Sequence, residues 1–294
     1  MLLTPIDKIL VDGRTFYVKR DDLVDPHLSG NKFRKLHTLL EISKNTFDTI
    51  ISYGGTQSNA MLAIAKMCQQ KQWKYRYYSK PLSHAQKQQE HGNYFEAINL
   101  GMEHVEIDPL YYKDQVSALG LNLDPRAFIV DQGGASKEAK AGLSVLANEI
   151  RKQNPLTRSI ATPSGTGTTA LFLAKALPEF TIYTTPCVGD VEYLKAQMLS
   201  LVDALPDNLK ILKPKKKYHF AKLYPNFLET YYKLLKAGIE FDLLYAPAMW
   251  EVLLEQTDEE VLYIHSGGTT GNKSMLERYS RTKKTNLNKN YIFT

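Results

Sequence analysis

Lys32 stands in the stretch DDLVDPHLSGNKFRKLHTLL, behind a Ser-Gly-Asn turn and at the start of a segment with helical spacing. A lysine on a helix ordinarily presents a charge to water. Fixed beside a tight turn and enclosed in a dry pocket, the same amine loses proton affinity and becomes a nucleophile toward carbonyl groups. Three other stretches concentrate glycine and hydroxyl groups: SYGGTQSNA, TPSGTGTTA and HSGGTTGN. In the second, Gly165 and Gly167 let the backbone approach an anion, and Ser164, Thr166, Thr168 and Thr169 bring hydroxyls. A helix starting there would add its free N–H groups and the positive end of its dipole, which together make a phosphate cradle. The stretch lacks the Gly-Lys-Ser/Thr ending of a nucleotide triphosphatase loop and the spacing of a dinucleotide fingerprint. The plain alternative is a glycine-rich turn that only starts a helix. In GGTQSN, Ser58 or Asn59 either caps the next helix or meets a ligand.

These loops need elements to position them. From residue 47 onward β-rich segments alternate with helical ones. FDTIISYGG reads as a buried strand and SNAMLAIAKMCQQ as a buried helix; KYRYYSK, EHVEI, AFIVDQGG, RSIATP, FTIYTTP, FDLLYAP and VLYIHSGG supply further strand candidates. Helices are expected over SHAQKQQEHGNYFEAINLG, around Leu143, Leu146, Ala147 and Ile150, after SGTGTT, over DVEYLKAQMLSLVDAL and over PNFLETYYKLLKAG. The alternation predicts an α/β protein with mostly parallel open sheets, whose ligands gather where strands run into helices.

At 294 residues, two compact units are the natural division. A hydrophobic share of 43% with 23% charged residues is that of an ordinary globular protein. No apolar run approaches a membrane span, and Cys68 and Cys187 are too few and too far apart for disulfide staples or a cysteine-rich metal site. A cytoplasmic protein with no membrane partner is expected. The net charge of +6 sits largely in KPKKKYHF and in the C-terminal RTKKTNLNKNYIFT. Without an aromatic RNA-binding signature, zinc-finger spacing or a helix-turn-helix, this reads as solvated charge rather than a nucleic-acid surface.

A lysine in a pocket, a phosphate cradle and an asparagine-bearing loop are the parts needed to hold pyridoxal 5′-phosphate. In VKRDDLVDPHLSGNKFRKL, SYGGTQSNA, DQGGASKEAKAGL, TPSGTGTTA and YIHSGG, in this order, the chain resembles the fold-type-II pyridoxal-phosphate enzymes. The branch it resembles contains D-cysteine desulfhydrase and 1-aminocyclopropane-1-carboxylate deaminase. The resemblance implies two domains with the cofactor between them: residues 35–134 the smaller, residues 1–34 and 135–294 the larger. It implies that Lys32 binds the cofactor covalently and acts in catalysis, that Asn59 meets the ring hydroxyl, and that Ser164 to Thr169 hold the phosphate. Ser58 would stand beside the reacting carbon and the substrate carboxylate, with Gln57 and Asn59 also on the substrate side. Ser266 would face the pyridine nitrogen, and a hydroxyl there favours elimination over transamination. The activity implied is β-elimination of D-cysteine or a related small amino acid to pyruvate, ammonia and sulfide, by a homodimer. The alternatives are ring opening of 1-aminocyclopropane-1-carboxylate and a cofactor-binding protein with altered catalysis.

Two departures stand out. Ala60 follows Gln-Ser-Asn where the family has His or Gln. The family's Asp-Pro-Val-Tyr segment, whose tyrosine reaches the active site, is matched through Pro247 to YAPAMW, which puts Met249 and Trp250 at the tyrosine and its neighbour and leaves Tyr245 without that role.

Overall fold

A computed structural model describes residues 3–28, 30–121 and 123–282. Ser29 and residues 283–294, most of the basic C-terminal stretch, lie outside the described residues. The strands in chain order are β1 (Ile6–Val11), β2 (Arg14–Lys19), β3 (Thr49–Tyr53), β4 (Lys74–Ser79), β5 (Met102–Glu106), β6 (Ala127–Ile129), β7 (Ser159–Ala161), β8 (Thr181–Thr184), β9 (Leu209–Ile211) and β10 (Val261–Ile264). They form a six-stranded sheet in the order β1-β2-β10-β7-β8-β9 and a four-stranded sheet in the order β5-β4-β3-β6. Only β1 pairs antiparallel, across a turn in which Asp12 and Gly13 both take positive φ. The expected α/β class with mostly parallel sheets is the observed one.

Period-two alternation builds the larger core. Leu262 and Ile264 of β10 face the helices Ala139–Gln153 and Thr168–Ala176, packing with Leu143, Leu146, Ala170 and Leu173. Val261 and Tyr263 face the opposite layer, where Met249, Trp250 and Leu253 of the helix Ala246–Gln256 lie with Phe16 and Val18. Both faces of this sheet are thus covered, as parallel strands require. The smaller sheet packs Ile50, Tyr75 and Tyr77 on the helix Asn59–Lys71, whose Met61, Ile64, Met67 and Cys68 are all buried.

Two expected elements differ. FDLLYAP is not a strand: the Asp242 carboxylate accepts from the N–H groups of Leu244 and Tyr245, at 3.0 and 2.7 Å, and this turn leads into the helix that carries Pro247 in its first turn. The single helix expected over 83–101 is two short ones, His84–Lys87 and Asn93–Asn99.

Lys32 rides on the six-residue helix Gly30–Lys35, far too short to be stable alone. What fixes it is Arg34, whose guanidinium forks to Asp21 (2.9 Å to each oxygen) and to Glu149 (2.6 and 2.8 Å). Lys19 completes a buried quartet through Glu149 at 3.3 Å and donates to the Thr4 carbonyl. All four residues are at most 2% exposed, and their charges cancel. Gly142 lets the neighbouring helix approach, since a Cβ there would lie 1.9 Å from the Arg34 carbonyl oxygen. Arg34→Met should therefore cost about 3–5 kcal/mol of unfolding free energy in urea denaturation, because it strands two carboxylates beside one lysine. Arg34→Lys should recover only part of that loss, since an ammonium cannot span both carboxylates. Equal stability of all three proteins would remove the quartet from this role.

Candidate active site

The C-terminal ends of β7, β10, β3 and β6 open onto one cavity of about 160 Å³, to which both sheets contribute loops. Of the residues singled out in the sequence, Lys32, Ser58, Asn59, Ser164, Gly165, Thr166, Gly167, Thr168, Thr169 and Ser266 line it. Gln57 does not. Its side-chain oxygen is taken by the Ser274 hydroxyl at 2.9 Å, outside the cavity wall.

The Lys32 amine donates to Asn31 Oδ1 at 3.0 Å. Its side chain meets the cavity while protein surrounds the ammonium. Burial lowers its pKa to about 8, and the opposing pull of the Asp242 carboxylate is smaller. Gly30 permits this placement: it has φ +57, and a Cβ would come within 2.1 Å of the Ser266 carbonyl. Ser266 follows β10 and is oriented by its neighbour. His265 Nδ1 accepts from the Gly267 N–H at 3.1 Å and Nε2 donates to the Glu240 carbonyl at 2.8 Å, which makes this buried ring neutral.

Ser58 caps the helix Asn59–Lys71, accepting from the N–H groups of Ala60 and Met61 at 3.2 and 3.3 Å. It also lines the cavity, and its side chain is hydrogen-bonded with Tyr77. Asn59 Oδ1 accepts from Asn93 Nδ2 at 2.7 Å, and Nδ2 is pressed against Gly268, where any Cβ would clash. Ala60 is 4% exposed and does not line the cavity, so the missing polar group there is a change within the packing.

The loop Ser164–Thr169 is held from several sides. Ser164 ties it to β8 through Thr184 Oγ1 at 2.6 Å. Gly167 has φ +76 and sits where a Cβ would strike Met198. Thr166 and Thr168 share a hydrogen bond at 2.9 Å, and the Thr169 hydroxyl is buried without a partner among the described residues. No side chain caps the helix Thr168–Ala176, so its first N–H groups remain available.

Three residues escaped the sequence reading. Lys35, one helical turn beyond Lys32, enters the same cavity, donating to the Gly133 carbonyl at 3.1 Å and to Thr166 Oγ1 at 3.4 Å. Burial, with Lys32 close by, pushes its pKa well below the usual lysine value. The i, i+3 spacing was the available signal. Tyr245 is the second: its ring lies against Gly165, and it lines the cavity, whereas Met249 and Trp250 are fully buried in the core. The match through Pro247 is therefore corrected. Asp242-Leu-Leu-Tyr245 keeps the aspartate and tyrosine of the family segment at the same spacing, and the proline had marked only a helix start. Asp242 is the third. Burial lifts its carboxyl to about 6 against the backbone N–H groups and Lys32, and its Oδ2 has no hydrogen-bond partner among the described residues.

Competitive acetylation of the cofactor-free protein over a pH series should show Lys32 reacting with a midpoint near 8. Asp242→Asn removes the carboxylate that raises this value, so the midpoint should move lower. A midpoint that stays put or rises would show that Asp242 does not act on Lys32.

No family model matches the chain. It is 26% identical to a putative 1-aminocyclopropane-1-carboxylate deaminase of Thermotoga maritima, over 88% of this chain and 90% of that protein. It is 25% identical to the D-cysteine desulfhydrase of Yersinia pestis, over 90% and 91% respectively. Among solved structures, a 1-aminocyclopropane-1-carboxylate deaminase homologue superposes with a TM-score of 0.74 at 20% identity, covering 94% of both chains. A hydrogen sulfide-producing enzyme of Fusobacterium nucleatum gives 0.63 at 16%, covering 91% of this chain and 96% of its own. Over most of its length the chain is thus a homologue of proteins named 1-aminocyclopropane-1-carboxylate deaminase and D-cysteine desulfhydrase, and its fold is that of the fold-type-II pyridoxal-phosphate enzymes.

Proposed function

We propose that the protein is a pyridoxal-phosphate-dependent lyase or deaminase of small amino acids, with β-elimination of D-cysteine as its leading reaction. The observation that carries this reading is one cavity in which a lysine of lowered proton affinity meets an uncapped helix N-terminus lined with hydroxyls. The surroundings fit the cofactor. The unpartnered Thr169 hydroxyl, the free N–H groups of the Thr168–Ala176 helix and the Lys35 ammonium supply donors for a phosphate dianion. Lys32 would hold the aldehyde end, Asn59 Nδ2 would donate to the ring oxygen, and Ser266 would meet the ring nitrogen. When bound, pyridoxal phosphate supplies a sink for the electron pair left on the α-carbon of an amino acid.

The remaining work falls to the chain's own residues. Lys32, with its proton affinity already lowered, takes the α-proton and can return one at the next carbon. Ser58, which lines the cavity, would stand beside the substrate carboxylate. The Tyr245 hydroxyl, raised above the usual tyrosine range by burial, stays protonated and can donate toward the departing group. The full balance is cysteine plus water giving pyruvate, ammonia and hydrogen sulfide. Tyr245 also favours a second reading, ring opening of 1-aminocyclopropane-1-carboxylate to 2-oxobutanoate and ammonia, because it restores the tyrosine that the Pro247 match had removed.

The division into residues 35–134 and the rest is part of the same proposal, supported by the four strands of the smaller sheet all lying within that span. So are a homodimeric state and a cytoplasmic setting; among the described residues no helix is long and apolar enough to cross a membrane.

Purified protein mixed with pyridoxal phosphate should gain a visible absorption band that Lys32→Ala lacks. Adding D-cysteine should change that band while pyruvate and sulfide accumulate together. A Lys32-dependent band with 2-oxobutanoate from the cyclopropane substrate and no sulfide from cysteine would select the second reading. Absence of any Lys32-dependent band would end both.

A further inference from the structure

Between β9 and the helix Pro225–Lys236, residues 212–224 run without regular secondary structure, and Phe220 from this segment reaches the cavity. Its other side borders a second hollow of about 400 Å³, outside the Gly55–Gln57 loop, which is also bounded by Gln86, Gln89, Ala221 and Arg278. The ring is wedged between the two sheets' loops. A Cβ on Gly55 would lie 3.2 Å from Phe220 Cε1, and the Phe220 and Tyr245 ring centroids are 6.0 Å apart. Ala221 holds φ +55, a left-handed conformation that costs a non-glycine residue about 1–2 kcal/mol. The ring is therefore kept in the wall by its packing, against local backbone preference.

Arg278 lies across that wall. Half-buried on the helix Asn272–Arg281, it donates to Met275 Sδ at 3.1 Å and pairs with no carboxylate among the described residues. The nearest acid in sequence, Glu277, is engaged by His91 at 2.9 Å and by Arg281 at 3.3 Å. A guanidinium that has lost part of its hydration without gaining a counter-ion favours an anion from solution. The surrounding glutamines are neutral and do not oppose one.

We propose that Phe220 is the partition that limits the length of the substrate's side chain, and that the hollow behind it, with Arg278, is a subsite for an anionic group at the far end of a longer amino acid. This rests on the reading of the Lys32 cavity as an amino-acid site. Alanine fits on the near side of the ring. An amino acid such as 2-aminoadipate, whose second carboxylate stands three methylenes from the α-carbon, meets the ring and would reach Arg278 once the ring is removed.

Isothermal titration of the pyridoxal-phosphate-loaded protein with racemic alanine and racemic 2-aminoadipate tests this without measuring turnover. Wild type, Phe220→Ala, Phe220→Leu, Arg278→Met and the Phe220→Ala/Arg278→Met double variant should all bind alanine alike. Phe220→Ala should bind 2-aminoadipate roughly tenfold more tightly than wild type, and the double variant should lose that gain. Alanine binding that persists in Phe220→Ala with no gain for 2-aminoadipate overturns the partition. A gain that survives loss of Arg278 overturns the subsite. If Phe220→Ala and Phe220→Leu both lose alanine, the ring holds substrate rather than dividing two spaces. If wild type binds neither amino acid, the amino-acid reading of the cavity fails and the partition falls with it.

Discussion

Everything at the site depends on the buried quartet centred on Arg34. A six-residue helix has too few internal hydrogen bonds to set its own direction, yet Lys32 must be held at a defined depth. Arg34 supplies the restraint. Its planar fork satisfies Asp21 from the segment after β2 and Glu149 from the helix Ala139–Gln153, so the helix is pinned by groups on two separate elements. Desolvating four charges is costly, and matched hydrophobic packing could stabilise the fold as well. The quartet contributes direction instead. A lysine two residues from an arginine so constrained has little freedom in where its amine lies.

Much of this could be read in the sequence because it depends on short-range rules. Strand, glycine loop and helix followed one another legibly, since buried parallel strands are continuous apolar runs and the loops after them carry the residues a ligand needs. The long-range parts were hidden. Glu149 stands 115 residues from Arg34, and no local pattern marks a glutamate as the one that turns inward. Gln57, two residues from Asn59 in the same motif, points away from the cavity because Ser274 on a distant helix claims its oxygen. FDLLYAP looked like a strand because its apolar content is that of one. The Asp242 side chain captures two backbone N–H groups that a strand would offer to a neighbour, and the segment turns instead. Pro247 misled for a physical reason of its own: a proline in the first turn reports where a helix begins, and helix starts shift more readily than the side chains that face a ligand.

The electrostatics of the cavity follow from having two lysines one helical turn apart in a place water scarcely reaches. Burial disfavours the charged form of each, and the nearby Lys32 adds a smaller push on Lys35. Asp242 opposes this for Lys32 alone, and its own carboxyl is lifted by burial in return. The two lysines therefore have different tasks available. Lys32 feels the Asp242 carboxylate and has its pKa lowered to about 8, which suits the nucleophile and base of the proposed reaction. Lys35 lies beside the hydroxyls and N–H groups of the cradle and pairs with no carboxylate among the described residues. A dianionic phosphate in the cradle would lie against Lys35 and the unpartnered Thr169 hydroxyl and would favour the charged form of Lys35. The lysine that such an anion would meet and the lysine that Asp242 faces stand one helical turn apart, on a helix that Arg34 holds in place.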